Sequence, residues 1–360
     1  MKITSIECLV LENSFPFVLV HTDEGITGIG ECFRRQPSVT KTMIDDILTP
    51  ALLGKDPRKT ESRFRDMAIA GNALEIGGSV WIAIAGLDIA LWDIKGKSQG
   101  LPIYDLLGGK VRDKMPVYAS SMKRDLSPLE EANRAYSLVE EGYSAYKLHS
   151  ALPGKIDDPS DQTVETVSEV RNAVGDDVEI LVDVNGAFSV HHGIEIGRKL
   201  EDLGVFHYEE PRPHYDLDGL AKVSDALTIP IASGEMVYSI FEYRDLIIKG
   251  KVDIIQPDIV KTPGFTTMIK IANMAESMGI PITCHNTQPT ISTVAHAHFV
   301  AATPGVPYKQ EYNIETISIR DSTPILLEPL QISEGMMSIP DGPGLGIELD
   351  MDMVRQLSKQ

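Results

Sequence analysis

Three acidic residues set at one interval constrain this chain more than any other feature. Asp183 ends the apolar run Val178-Glu179-Ile180-Leu181-Val182, Glu209 ends Val205-Phe206-His207-Tyr208, and Glu235 closes Ile229-Pro230-Ile231-Ala232-Ser233-Gly234; each step is 26 residues. A strand, a loop, a helix and a return loop take about that many residues in a βα barrel of roughly 250 residues and eight units. The three carboxylates therefore occupy equivalent strand ends in consecutive units, on the face where barrel active sites lie. Gathered there they repel one another unless a cation sits among them, and hard oxygen ligands suit Mg²⁺. Solvated, unrelated acids would have no reason to keep both the interval and the placement.

The pattern around them agrees. From Pro116 onward, strand-like and helix-like stretches alternate as a parallel sheet requires. Strands are expected near 117–121, 144–149, 178–183, 205–209, 229–235, 252–257, 280–285 and 308–312, with seven helical segments between them. Polar residues end each strand: Ser121, Lys147 with His149, Asp183 with Asn185, Glu209, Glu235, Asp258, His285 and Glu311. Ahead of the barrel come three strand-like runs (2–10, 16–22, 26–32) and helical stretches near 38–48, 57–69 and 79–97. Gly25, Gly28 and Gly30 are out of register with a phosphate-binding loop and read as sheet packing. Asp88, Trp92 and Asp93 read as packing and capping residues. Gly108-Gly109 mark a break before the barrel, and the Pro/Gly-punctuated stretch from about 314 to 360 is expected to cross back to the N-terminal part.

At 360 residues the chain suits a barrel plus an accessory domain. A formal charge of −19 with no basic block argues against nucleic acid and anionic membranes. Cys8, Cys32 and Cys284 form no CxxC pair, which fits a reducing, cytoplasmic setting. No leader-like apolar region opens the sequence, and no uncharged run reaches the length of a membrane span.

Alternate residues of a strand share a face, so Lys147 and His149 project together, toward the carboxylates. Asp258 and His285 end neighbouring strands, which lie about 4.8 Å apart. A bond between them would fix the histidine tautomer and stabilise its cation, making it a proton carrier near neutrality. Mg²⁺ and a lysine can hold a carboxylate and stabilise an enediolate, while His285 or His149 moves the proton on the adjacent carbon. Lys261, Lys309 and Glu311 lie near strand ends and are further candidates. His191-His192 and His296-x-His298 imitate metal pairs but fall on helices, and read as surface or packing residues.

Taken together, these residues resemble the enolase superfamily, mandelate racemase subgroup. The matching stretches are Leu87-Asp88-Ile89-Ala90-Leu91-Trp92-Asp93 with Lys95-Gly96-Lys97, Leu107-Gly108-Gly109, the Lys-x-His run, Val182-Asp183-Val184-Asn185-Gly186, Glu209-Glu210-Pro211, Ser233-Gly234-Glu235, Gln256-Pro257-Asp258 and His285. The resemblance implies a (β/α)₇β TIM-like barrel (113–313), an α+β capping domain (1–112) and a C-terminal segment (314–360) returning to it. It implies Mg²⁺ ligation by Asp183, Glu209 and Glu235, with a lysine or histidine base working beside the ion, as enolase-superfamily sites do. It assigns acid or base work to Asp258–His285, places Glu311 on the substrate carboxylate side and Glu210 behind the ligands. It also implies a homo-oligomer. His149 stands where the subgroup commonly carries a second lysine, and Pro263-Gly264 stands in place of the usual Gly-Gly.

The leading reading is a Mg²⁺-dependent dehydratase that converts a sugar acid to a 2-keto-3-deoxy acid, with a small-molecule carboxylate as its partner. Racemisation or epimerisation next to a carboxylate, with His149 and His285 on opposite faces, is the runner-up. A Schiff-base lyase or aldolase using Lys147 is the alternative of another class, and a non-catalytic scaffold a third. Loops 11–15 and 51–57 are expected to close over the mouth.

Overall fold

A computed structural model describes residues 1–71, 77–315, 319 and 325–359. The N-terminal part opens with β1 (Ile3–Leu11), β2 (Phe15–Thr22) and β3 (Thr27–Glu31), an antiparallel meander. Four helices follow: α1 (Pro37–Thr42), α2 (Thr49–Leu52), α3 (Thr60–Gly71) and α4 (Gly78–Gln99). The stretch read as one helix over 38–48 becomes α1 plus a π-helical turn, Met43–Leu48. Helix α4 is apolar nearly all round and buried nearly all round, as a helix at the centre of a large core must be. It ends at Gly100, whose φ of 68° supplies the left-handed residue that commonly stops a helix. A Cβ on Gly28 or Gly30 would strike the backbone oxygens of Ala90 and Gly86, so these glycines exist to let α4 lie directly on β3. That is the sheet packing expected of them.

After α5 (Ile103–Leu106) the barrel begins. Its strands and helices alternate as β4 (Lys114–Ser120), α6 (Pro128–Glu140), β5 (Ala145–His149), α7 (Thr163–Val174), β6 (Glu179–Asp183), α8 (Val190–Asp202), β7 (His207–Glu209), α9 (Leu217–Ala226), β8 (Ile231–Ser233), α10 (Ile240–Ile248), β9 (Ile254–Ile255), α11 (Gly264–Met278), α12 (Ile291–Ala302) and β10 (Gln310–Asn313). Parallel pairing runs unbroken from β4 to β9, and β10 returns to β4. This is the (β/α)₇β barrel expected from the alternation. Serine-glutamate capping boxes start α6 (Ser127, Glu130) and α10 (Ser239, Glu242), satisfying backbone N–H groups that a helix start leaves open.

Several strands are shorter than the sequence suggests, among them 205–209, which spans only His207–Glu209. The run 229–235 pairs only over Ile231–Ser233, and 252–257 only over Ile254–Ile255. The expected strand at 280–285 reduces to a single bridge, Ile255 to Ile282. Side chains have replaced the ladder there: the N–H groups of Cys284 and Asn286 donate to Gln310 Oε1 at 2.7 Å and Glu311 Oε2 at 2.8 Å.

The C-terminal stretch touches both parts. β11 (Ile332–Ser333) and β12 (Met336–Ser338) form a hairpin, and β12 pairs antiparallel with the start of β4. Further on, the Leu345 N–H donates to Asp93, and Leu357 at the end of α13 (Met351–Leu357) accepts from Glu12 N–H. Among the described residues no helix is long and apolar enough to cross a membrane.

Candidate active site

Strand register builds the site. His149 pairs with Asp183 and Asp183 with Glu209, so three adjacent strands end level with one another. Glu235 lies two residues past β8, beyond Gly234, whose φ of 139° turns the chain back toward the mouth. It sits on the turn and not on the strand end. Asp183, Glu209 and Glu235 nevertheless each offer an oxygen within 4.8 Å of the others, all buried. Glu209 Oε1 has no hydrogen-bond partner, an orphaned buried carboxylate oxygen facing the cluster. The donor set is all oxygen. Both features fit a hard divalent cation.

Lys147 is wholly buried, with its Nζ 2.8 Å from Glu209, 2.9 Å from Glu311 and 3.8 Å from Asp183. Burial alone would depress this ammonium, but Glu209 and Glu311 override it and hold its pKa well above the usual lysine range. Glu311 accepts from Ser120, Lys147 and the Asn286 N–H. Against burial, Lys147 holds Glu311 below the ordinary carboxylate range, so it stands as an anionic acceptor. Glu210, behind the ligands, is pushed well above that range by burial and by Glu235, Asp183 and Glu209.

His285 Nδ1 lies 2.7 Å from Asp258 Oδ2, and its Nε2 lies 2.9 Å from Glu235. Burial is the largest single influence and opposes the imidazolium, but Glu235, Glu311 and Asp258 together overcome it and the pKa rises to about 10. His149 turns Nδ1 to the Ser121 carbonyl at 2.5 Å and Nε2 to Asp183 at 3.0 Å. Lys261 also reaches the site, buried, with Nζ 3.6 Å from Glu235 and 4.4 Å from the Phe33 ring centroid.

Other candidates fall elsewhere. Lys309 pairs with Glu179, the first residue of β6, at the opposite end of the barrel, because β10 starts only after it. His192 stacks edge-on against Phe188 on α8. His296 and His298 are buried packing residues, not surface ones: His296 Nε2 accepts from Ile259 N–H, and His298 stacks on Tyr104. Asp88 and Trp92 serve as expected, both bonded to Thr266 at the start of α11. A Cβ on Gly264, whose φ is 64°, would strike Asp88, so that variant position needs its glycine.

Neither loop expected to close over the mouth is among the residues that line the cavity over Glu235. Residues 12–14 are a tight hairpin turn closed by Ser14 N–H on Leu11 O, and Gly54 and Lys55 are tied to Ile3. The segment after β3 takes that place instead. Glu31 accepts from Gln288, Thr290 and the Ser292 N–H, while the Arg34 guanidinium donates to Thr287 and the Arg34 backbone N–H donates to Gln288 Oε1. Phe33 is thereby set 6.5 Å from His285, ring to ring, and Arg35 enters the wall of a cavity of about 430 Å³ over Glu235. Sequence reasoning passed over this segment. Its one signal was a pair of arginines in a strongly acidic chain.

Barrel and rim together define a class: an enzyme-type barrel whose mouth joins an acidic cluster that could hold a metal ion to a buried lysine and an Asp–His pair. A family model described as mandelate racemase / muconate lactonizing enzyme, N-terminal domain, matches residues 4–108, and one described as enolase C-terminal domain-like matches 130–353. The chain belongs to this mandelate racemase / muconate lactonizing enzyme family of the enolase superfamily. It is 35% identical over 332 residues to arabinonate dehydratase of Saccharolobus solfataricus, covering 91% of this chain and 86% of that one. It is 33% identical to D-galactarolactone cycloisomerase of Agrobacterium fabrum, over 99% of this chain and 98% of the relative. The solved mandelate racemase/muconate lactonizing protein from Paracoccus denitrificans PD1222, complexed with magnesium, superposes with a TM-score of 0.92 at 30% identity, covering 99% and 97% of the two chains.

Proposed function

We propose that this chain is a Mg²⁺-dependent sugar acid dehydratase, a hydro-lyase that forms a 2-keto-3-deoxy acid. The observation that carries the reading is the Asp258–His285 pair set against Glu235, beside relatives that include arabinonate dehydratase. Asp183, Glu209 and Glu235 would hold the ion, which when bound supplies positive charge against the negative charge that develops on the substrate carboxylate. Lys147 adds a fixed positive charge on the same side, held by Glu209 and Glu311. His285, its Nδ1 anchored by Asp258, presents Nε2 to the site and delivers a proton to the leaving 3-hydroxyl. Phe33 sets an apolar ring 6.5 Å from the imidazole, centroid to centroid.

Epimerisation is the second reading, favoured by His149, a second imidazole on the opposite side of the ligand set. Incubating a panel of sugar acids with Mg²⁺ and detecting 2-keto acid with semicarbazide decides between them. Keto acid from at least one substrate, lost in His285→Asn, supports the dehydratase. An inverted epimer without keto acid installs the isomerase, and borohydride trapping of a Lys147 adduct installs the Schiff-base lyase. The family resemblance supports a homo-oligomer, which light scattering on the purified protein measures. Three free, buried cysteines support residence in a reducing compartment.

A further inference from the structure

The cavity over Glu235 is lined in part by Arg35, Arg124, Asn185, Glu210 and His214. Its volume of about 430 Å³ lies in the range of small-molecule sites. Two guanidinium groups therefore face one small space in a chain whose formal charge is −19. Among the described residues neither Arg35 nor Arg124 has a carboxylate within ion-pair distance, although Glu210 and Glu235 line the same cavity. The other site carboxylates already have partners: Glu209 and Glu311 hold Lys147, Glu235 and Asp258 hold His285, and Asp183 holds His149. Arg124 donates only to the Asn185 amide oxygen, and its Nε is buried with no partner at all. Arg35 does no more than lie over the Phe33 ring, 5.8 Å from its centroid. Burial and the neighbouring Arg35 both disfavour the Arg124 guanidinium, against the pull of Asp183 and Glu235, and a substrate that brings a further negative charge into the cavity offsets that cost.

We propose that Arg35 and Arg124 bind a second anionic group at the end of the substrate away from the metal ligands, so that the preferred substrate is a sugar diacid or a terminally phosphorylated sugar acid and not a simple monoacid. This rests on the sugar acid reading above. Arginine is the side chain suited to it, because its planar fork binds a carboxylate or a phosphate through two parallel hydrogen bonds. Asn185 links the two ends: it accepts from Arg124 and donates to Asp183 at 3.1 Å, so engagement of the far anion bears on a ligand of the metal site.

The test compares galactonate with galactarate, and gluconate with glucarate and 6-phosphogluconate, using the Mg²⁺-loaded protein. Both kcat/KM for keto acid formation and the dissociation constant by calorimetry are read. At least a tenfold preference for a dianion over its matched monoacid is expected; preference for the diacid assigns a carboxylate, preference for the phosphorylated acid a phosphate. Arg35→Met, at an exposed position, and Arg124→Met should each lower that ratio at least fivefold, and 0.3 M salt should lower it in the wild type. Equal values for monoacids and dianions overturn the inference while leaving the dehydratase intact. If no acid is dehydrated, the dehydratase reading fails, and calorimetry still judges the arginines: tighter dianion binding lost in Arg35→Met upholds them, equal or absent binding rejects them.

Discussion

Lys147 lies inside the barrel with no exposed surface, and three carboxylates lie within 4 Å of its Nζ. Removing one partner of such a cluster leaves buried charge uncompensated, at a cost of about 3–5 kcal/mol. Lys147→Met should therefore lower the stability of the metal-free protein by that order in urea denaturation, besides abolishing turnover; an unchanged midpoint would contradict the packing. Glu235 has a different weight. Glu235→Gln keeps size and polarity but withdraws a charge from the proposed ligand set, so Mg²⁺ binding followed by calorimetry should weaken at least tenfold and keto acid formation should vanish, with the circular dichroism unchanged. His285→Asn tests the proton carrier: general acid–base contributions of about 10²–10⁴-fold set the smallest fall in kcat to expect. Following the substrate α-hydrogen in D₂O by NMR then separates its two jobs. Exchange that survives in the Asn variant means another group takes the α-proton.

At the scale of elements, α4 and α11 meet through Asp88, which accepts from both the N–H and the hydroxyl of Thr266. Burial pushes the Asp88 pKa up to about 7, against the Thr266 bonds that favour its anion. A carboxyl whose folded pKa lies above its unfolded one stabilises the fold fully below about pH 4, and that stability is lost as pH rises toward 7, on the order of a few kcal/mol. Asp88→Asn carries no such proton. The wild type should therefore lose its advantage over Asp88→Asn between pH 4 and pH 7 in thermal denaturation; a parallel pair of profiles would refute the buried-acid assignment. Glu31, also near 7 through burial, titrates in both proteins and cancels from the difference.

At the scale of the molecule, a cation that binds only the folded chain must stabilise it. A ligand at about 100 times its Kd adds roughly 2.7 kcal/mol. Saturating Mg²⁺ should raise Tm by several degrees, EDTA should reverse the rise, and Glu235→Gln should show little of it. A Tm indifferent to Mg²⁺ in the wild type would count against the ligand set. The same scale explains why the capping part belongs to the site: Glu31 takes N–H and hydroxyl donors from the loop after His285, which fixes where Phe33 and Arg35 sit.

What the sequence determined alone is what repeats along it. The interval of 26 residues, the alternation of apolar runs and helices, and the polar residue closing each run suffice for the barrel, for the convergence of Asp183, Glu209 and Glu235, and for the nearness of Asp258 to His285. Those depend on local period and on the fixed spacing of neighbouring strands. The strand at 280–285 and the reach of Lys309 were misjudged because backbone pairing there is settled by side chains from another segment. The part played by the segment after β3 was not legible for a like reason. Which loop covers the mouth depends on contacts such as Glu31 to Ser292 and Arg34 to Thr287, between residues more than 250 positions apart, and no period in the chain records them.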